Sequence, residues 1–172
     1  MKEKKIVLSV ILGVSLVALI IALVSGLADS ISLMIDGGKI KSLYYEDEKY
    51  HCLVGGLEIG LISLGIAFVA VLIFVKGKGK KISTIILAEL LTCYFIITTA
   101  VLRKVMPIDE FREHSIFAEE YALFVAYLSS AITITVSAIL ACVSSLLLGR
   151  AKKAEEAKQN EQEISVDKTD EA

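Results

Sequence analysis

The chain has 172 residues, 55% of them hydrophobic and 22% charged, with a formal net charge of −2. Those totals resemble a soluble domain, but four apolar runs of 23, 23, 21 and 29 residues occupy 96 positions and leave 76 for everything polar. That argues against a second folded domain, a disulfide-rich secreted domain or a soluble enzyme, and the near-neutral charge points to no nucleic acid or other polyanion as partner.

The first run, Ile6–Ala28, has no charged residue and follows Lys2, Lys4 and Lys5. About 20 residues at 1.5 Å rise cross a hydrocarbon core of ~30 Å, so this run predicts a spanning helix. It is longer than the usual signal-peptide core. An uncleaved anchor is therefore expected, although Gly26-Leu27-Ala28 has the small residues of a cleavage site. The connection that follows, Asp29–Cys52, has 24 residues and is the longest. Its Asp36-Gly37-Gly38 lies between partly alternating apolar residues, a hairpin signal; an irregular loop, or a helix start around Asp29–Met34, is the other reading.

The second run, Leu53–Val75, carries one charge, Glu58, and the third, Ile82–Leu102, carries one, Glu89. The six residues KGKGKK (76–81) between them make these two runs antiparallel neighbours. After the third run, Met106-Pro107-Ile108-Asp109-Glu110 reads as a helix start, with proline near the first helical position and acids in the first turn. The fourth run, Tyr121–Gly149, is uncharged. The polar tail, Arg150–Ala172, begins with helix formers and a Lys152/Glu156 pair one turn apart. Its last residues, Ser165–Ala172, have a disordered composition. The predicted fold is an all-α integral membrane four-helix bundle, up-down-up-down. It comprises a spanning domain (1–149; spans about 6–28, 53–75, 82–102 and 121–149), a small outer loop cap for which the hairpin is one reading, and a tail (150–172).

Lysine and arginine set the orientation. The N-terminal flank, the KGKGKK turn and the start of the tail hold ten basic residues, while the other two connections hold six basic and ten acidic ones. The positive-inside rule places both termini in the cytoplasm of a cell-membrane protein. Tyr44, Tyr45, Tyr50 and Tyr121 then fall on the outer side, as an aromatic belt does.

Helices in lipid associate through small residues that let backbones approach. The fourth run offers Ala122, Ala126, Ser130, Thr133, Ser137, Ala141 and Ser144 at a coiled-coil spacing. The second has Gly56 and Gly60, continued by Ser63 and Ala67. The first has Ser15, Ala18, Ala22 and Gly26, and the third has Thr84, Ala88 and Thr92. A packing seam is the expected role, and a polar pathway along Ser130, Thr133 and Ser137 is the alternative.

Glu89 is the foremost candidate for function. It lies seven positions into the third run, and an intramembrane carboxyl is costly, ordinarily faces the bundle interior and marks function. Thr92 and Cys93 follow one turn later on the same side. Glu58, five residues inside its run, is read as an interface residue within reach of Arg103 or Lys104, on a face away from Glu89. His51, Cys52 and His114 lack zinc-ligand spacing, and the three cysteines fall at different depths. No catalytic set, metal site or cofactor motif emerges. Four spans with the longest outer loop first is a topology of tetraspan proteins in general, but the chain has no tryptophan and one cysteine in that loop, so nothing beyond topology carries over. The sequence thus points to a non-enzymatic accessory subunit or assembly scaffold, bound to the bilayer and to another membrane protein or a second copy. A small proton- or cation-coupled transporter using Glu89 is the rival.

Overall fold

A computed structural model describes the backbone of residues 2–36, 39–40, 46–106 and 118–170, and the side chains of 3–35, 49–77, 79–106 and 121–157. The turn glycines 37 and 38, the helix start near Ile108, and Arg112, Glu113, His114, Tyr44 and Tyr45 lie outside the described residues.

Four helices make up the bundle: α1 (Lys2–Met34), α2 (Glu46–Phe74), α3 (Gly77–Val105) and α4 (Ala118–Asp170). All four are long and apolar enough to cross a membrane. Each helix outruns its apolar run, because backbone hydrogen bonding continues where hydropathy ends. The clearest case is α4, which stays helical to Asp170. The Ala, Glu, Lys and Gln of 151–163 are strong helix formers, and the helix continues over Ser165–Asp170, where composition gives disorder. Between α1 and α2, β1 (Ile35–Asp36) pairs antiparallel with β2 (Lys39–Ile40), in the register Ile35 to Ile40 and Asp36 to Lys39.

Only Val75 and Lys76 separate α2 from α3. Gly77 opens α3 at φ +75°, a left-handed conformation that glycine adopts without steric cost. The Lys80 amine donates to the Leu72 carbonyl, which satisfies one of the last carbonyls of α2 with a cation. Around the bundle α1 packs on α2 and most extensively on α4, α3 packs on α2 and α4, and α2 also touches α4 across the middle. Lys5 pairs with Glu155, so the start of α1 and the extension of α4 leave the bundle at one end, together with the 75–76 turn. We call this the terminal end, and the opposite end, with residues 29–46 and 106–118, the loop end.

Leu19, Leu61, Ile62, Phe68, Leu91 and Ile134 form the buried centre. The outward faces are just as apolar: Ile6, Val24 and Phe74 are 63%, 66% and 78% exposed, among many large aliphatic side chains. A water-soluble bundle would put polar residues there. Apolar surface on this scale is stable only against lipid or protein.

Candidate functional site

The two intramembrane carboxyls sit on α2 and α3, and the structure reverses their expected settings. Glu58 lies about 14 Å from Lys49 along α2, at 1.5 Å per residue. It shares a helix face with Val54, Leu61, Ile62 and Phe68 and is 4% exposed. It is therefore an interior residue rather than an interface anchor. Arg103 and Lys104 are exposed. Among the described residues no hydrogen bond or ion pair reaches the Glu58 carboxyl, so its expected partners do not serve it.

The surroundings of Glu58 depend on glycine. At Gly26 on α1, the point a Cβ would occupy lies 3.2 Å from Glu58 Oε1 and 3.3 Å from Ser130 Oγ. At Gly60 the equivalent point lies 2.1 Å from Tyr94 Oη. The bare backbone there lets Tyr94 lie across α2 and donate to the Leu57 carbonyl at 3.0 Å. Tyr127 of α4 is 1% exposed and its hydroxyl pairs with that of Thr98 on α3. These two tyrosines tie α2, α3 and α4 together around the carboxyl.

Beside this cluster a groove of about 600 Å³ runs between α1 and α4. It begins among Ala18, Ile21 and Ala22 and passes Gly26 and Ser130. At its loop end it holds Asp29.

Glu89 lies about 15 Å from Gly79 along α3, near the middle of the span, and it is exposed on the outside of the bundle. The expectation that it faces the interior is corrected. Ala88 and Leu91 hold the buried face of α3, one step round the helix, and that register turns Glu89 outward with Leu90 and Cys93. It sits in a shallow groove of about 270 Å³ with Ile85, Thr92 and Cys93 of α3 and Ile139 and Cys142 of α4. Thr92 spends its hydroxyl proton on the Ala88 carbonyl, at 2.8 Å. Thr92 and Cys93 do share the side of Glu89, as their spacing gives.

The predicted seam on α4 is half realised. Ser137, Ala141 and Ser144 are buried and Ser130 is half-buried, whereas Ala122, Ala126 and Thr133 are exposed. Towards the loop end the buried face shifts by one strip to Phe124, Tyr127 and Ala131. On α2, Gly60 permits close approach, but Gly56 is exposed with open space beside it. The glycines that α1 uses are Gly55, against Met34 and the Ser30 carbonyl, and Gly65, against Leu23. Several hydroxyls along the spans bond their own helices, as Ser15 does to Ile11, Ser30 to Gly26 and Thr133 to Ser129, while the buried hydroxyls of Thr99 and Thr135 find no partner among the described residues. Such bonds suit packing surfaces. Cys52 and Cys142 are buried and Cys93 is exposed. Among the described residues no three His, Cys, Asp or Glu gather into a metal-holding group.

Comparison with family models, with curated proteins and with solved structures returns no match for this chain.

Proposed function

We propose that this chain is a non-enzymatic integral membrane protein of the cell membrane, an accessory or assembly subunit. In this reading the α3–α4 groove at Glu89 docks a helix of another membrane protein. The supporting observation is the outward exposure of Glu89 near mid-span. A carboxyl facing hydrocarbon costs roughly 2.5–3.5 kcal/mol on insertion scales. A hydroxyl, amide or basic group on a neighbouring helix offsets that cost. The rival reading, a carrier that cycles a proton at Glu89, needs polar groups leading from the carboxyl to one end of the bundle. Beside the carboxyl the groove holds Thr92, Cys93 and Cys142 among aliphatic walls at Ile85, Ala88 and Ile139, and Thr92 spends its hydroxyl proton on its own helix.

A photoreactive benzoylphenylalanine at position 93 tests the reading in native membranes. It should yield one discrete protein adduct, whose mass separates a second copy from a different protein. Glu89→Leu should abolish that adduct. Adducts to lipid alone overturn the proposal.

Both termini belong to the cytoplasmic side in this reading, on the ten-to-six division of basic residues. A reporter fused after Lys168 should read cytoplasmic and one inserted at Gly37 external. A cytoplasmic signal at Gly37 overturns the orientation.

A further inference from the structure

The docking role of Glu89 uses α3 and α4 and leaves the outward face of α1 bare, yet that face has an order of its own. We propose that a second copy of this chain packs there, α1 along α1, in a parallel dimer.

The face is a heptad seam. Val7, Val10, Val14, Val17, Ile21 and Val24 follow one another at alternate spacings of three and four residues, and Ala28 and Ile31 continue the series. The valines and isoleucines of the seam are 46–66% exposed. From Val7 to Ile31 it runs about 36 Å at 1.5 Å per residue, enough to cross the hydrocarbon core. Sustained three-four spacing lets one helix set its knobs into the holes of another along its whole length. Fluid acyl chains impose no such period.

The inner side of α1 shows what such a seam does. There Leu12, Leu16, Leu19 and Leu23 keep the same spacing and pack into the bundle centre. The helix thus carries a leucine seam filled by its own chain and a β-branched seam that its own chain leaves open. The outward faces of α3 and α4 are interrupted, by Glu89 and Cys93 and by Ser129, all exposed.

The side chains suit a helical partner. An α-helix already holds valine and isoleucine close to one χ1 rotamer, so packing them against a neighbour costs little further entropy. Van der Waals contact, a main attraction between helices in lipid, then goes into association. Gly13 and Ala18 flank the seam and, with Val10, Val14, Val17 and Ile21, line a shallow hollow of about 510 Å³. A Cβ at Gly13 would meet nothing within 4 Å, so a facing side chain has room.

Charge identifies the occupant as another α1. Copies inserted the same way run parallel, so their first turns meet. Glu3 holds the next seam position, four residues before Val7, with Lys4 beside it, and both are exposed. Lys5 is drawn away to Glu155. In a two-fold dimer each Glu3 lies against the Lys4 of the other copy, which forms two ion pairs at the terminal end.

Oxidative cross-linking of the full chain in native membranes tests the seam. In a Cys93→Ser background, Val10→Cys, Val17→Cys and Val24→Cys should give disulfide-linked dimers several-fold more readily than Ile66→Cys and Ile132→Cys, which are exposed on α2 and α4. Energy transfer between labelled chains in bicelles tests the charge. Glu3→Lys should raise the dimer Kd about fivefold, and adding Lys4→Glu should restore it. Glu89→Leu, on a different face, should change neither reading. Equal linking at all five positions, absence of energy transfer, a Glu3→Lys dimer as tight as the parent or not restored by Lys4→Glu, or loss of either signal in Glu89→Leu overturns the proposal.

Discussion

Glu58 and Glu89 occupy similar sequence contexts, each a lone acid in an apolar helix, yet the bundle gives them opposite surroundings. Glu58 is enclosed between α1, α2 and α4, beside two tyrosines and a groove. Glu89 stands on the outer surface of α3, against aliphatic neighbours. Position along a helix sets depth in the bilayer, while position around it sets the company a side chain keeps. Two lone acids in apolar helices can therefore serve different tasks, one within the chain and one, in the proposed docking role, between chains.

The sharpest way to break this contrast is to exchange charge. Glu58→Lys forces a longer, charged side chain into a packed interior position, and should destabilise the bundle by about 4 kcal/mol or more. Glu89→Leu should leave the stability of the isolated chain within ~0.5 kcal/mol, since the side chain faces outward. Reversible unfolding in bicelles measures both. If Glu89→Leu destabilised the isolated chain as strongly, the carboxyl would belong to the interior and the contrast would fail.

A smaller effect comes from the two α2 glycines. Gly60→Leu must displace Tyr94 from the Leu57 carbonyl, and should cost about 1–3 kcal/mol through overpacking. Gly56→Leu has open space and should change stability by under ~0.5 kcal/mol. The same unfolding assay compares them, and equal losses would mean that Tyr94 does not rest on α2.

The smallest test concerns the α4 seam. Ala141→Leu, at a fully buried position, should cost about 1–2 kcal/mol. Ala122→Leu on the exposed part should be near neutral. An adverse effect of Ala122→Leu only in native membranes, seen as loss of a partner adduct, would extend the docking surface towards the loop end.

How much of this was legible beforehand depends on the kind of signal. Spans, antiparallel order and the short 75–76 turn follow from charge-free runs and loop lengths, which are one-dimensional quantities. The faces do not. In a lipid-embedded bundle the inner and outer faces are equally apolar, so hydropathy has no phase to read. Small residues had to supply it, and α2 holds two interleaved sets. Gly56, Gly60, Ser63 and Ala67 keep regular spacing, but α1 packs on Gly55 and Gly65, one strip away. That strip carries Glu58 inward. On α3, Thr84 and Ala88 mark the inner face correctly, and Glu89, the next residue after Ala88, is thereby turned out. The general rule that intramembrane acids face inward pointed to the wrong one of the two. The close approach at Gly26 combines residues of three helices, and no spacing within one helix encodes it.

The turn at Val75 and Lys76 bears on how the chain enters a bilayer at all. With two residues between them, α2 and α3 form one helical hairpin, and Lys80 closes the turn on Leu72. That hairpin holds both acids, while Ile6–Ala28 and Tyr121–Gly149 hold no charge. Both charges of the four apolar runs are thus carried by one helical hairpin and shared over its two helices. In the closed bundle Glu58 lies against α1 and α4, whereas Glu89 stays on the outside.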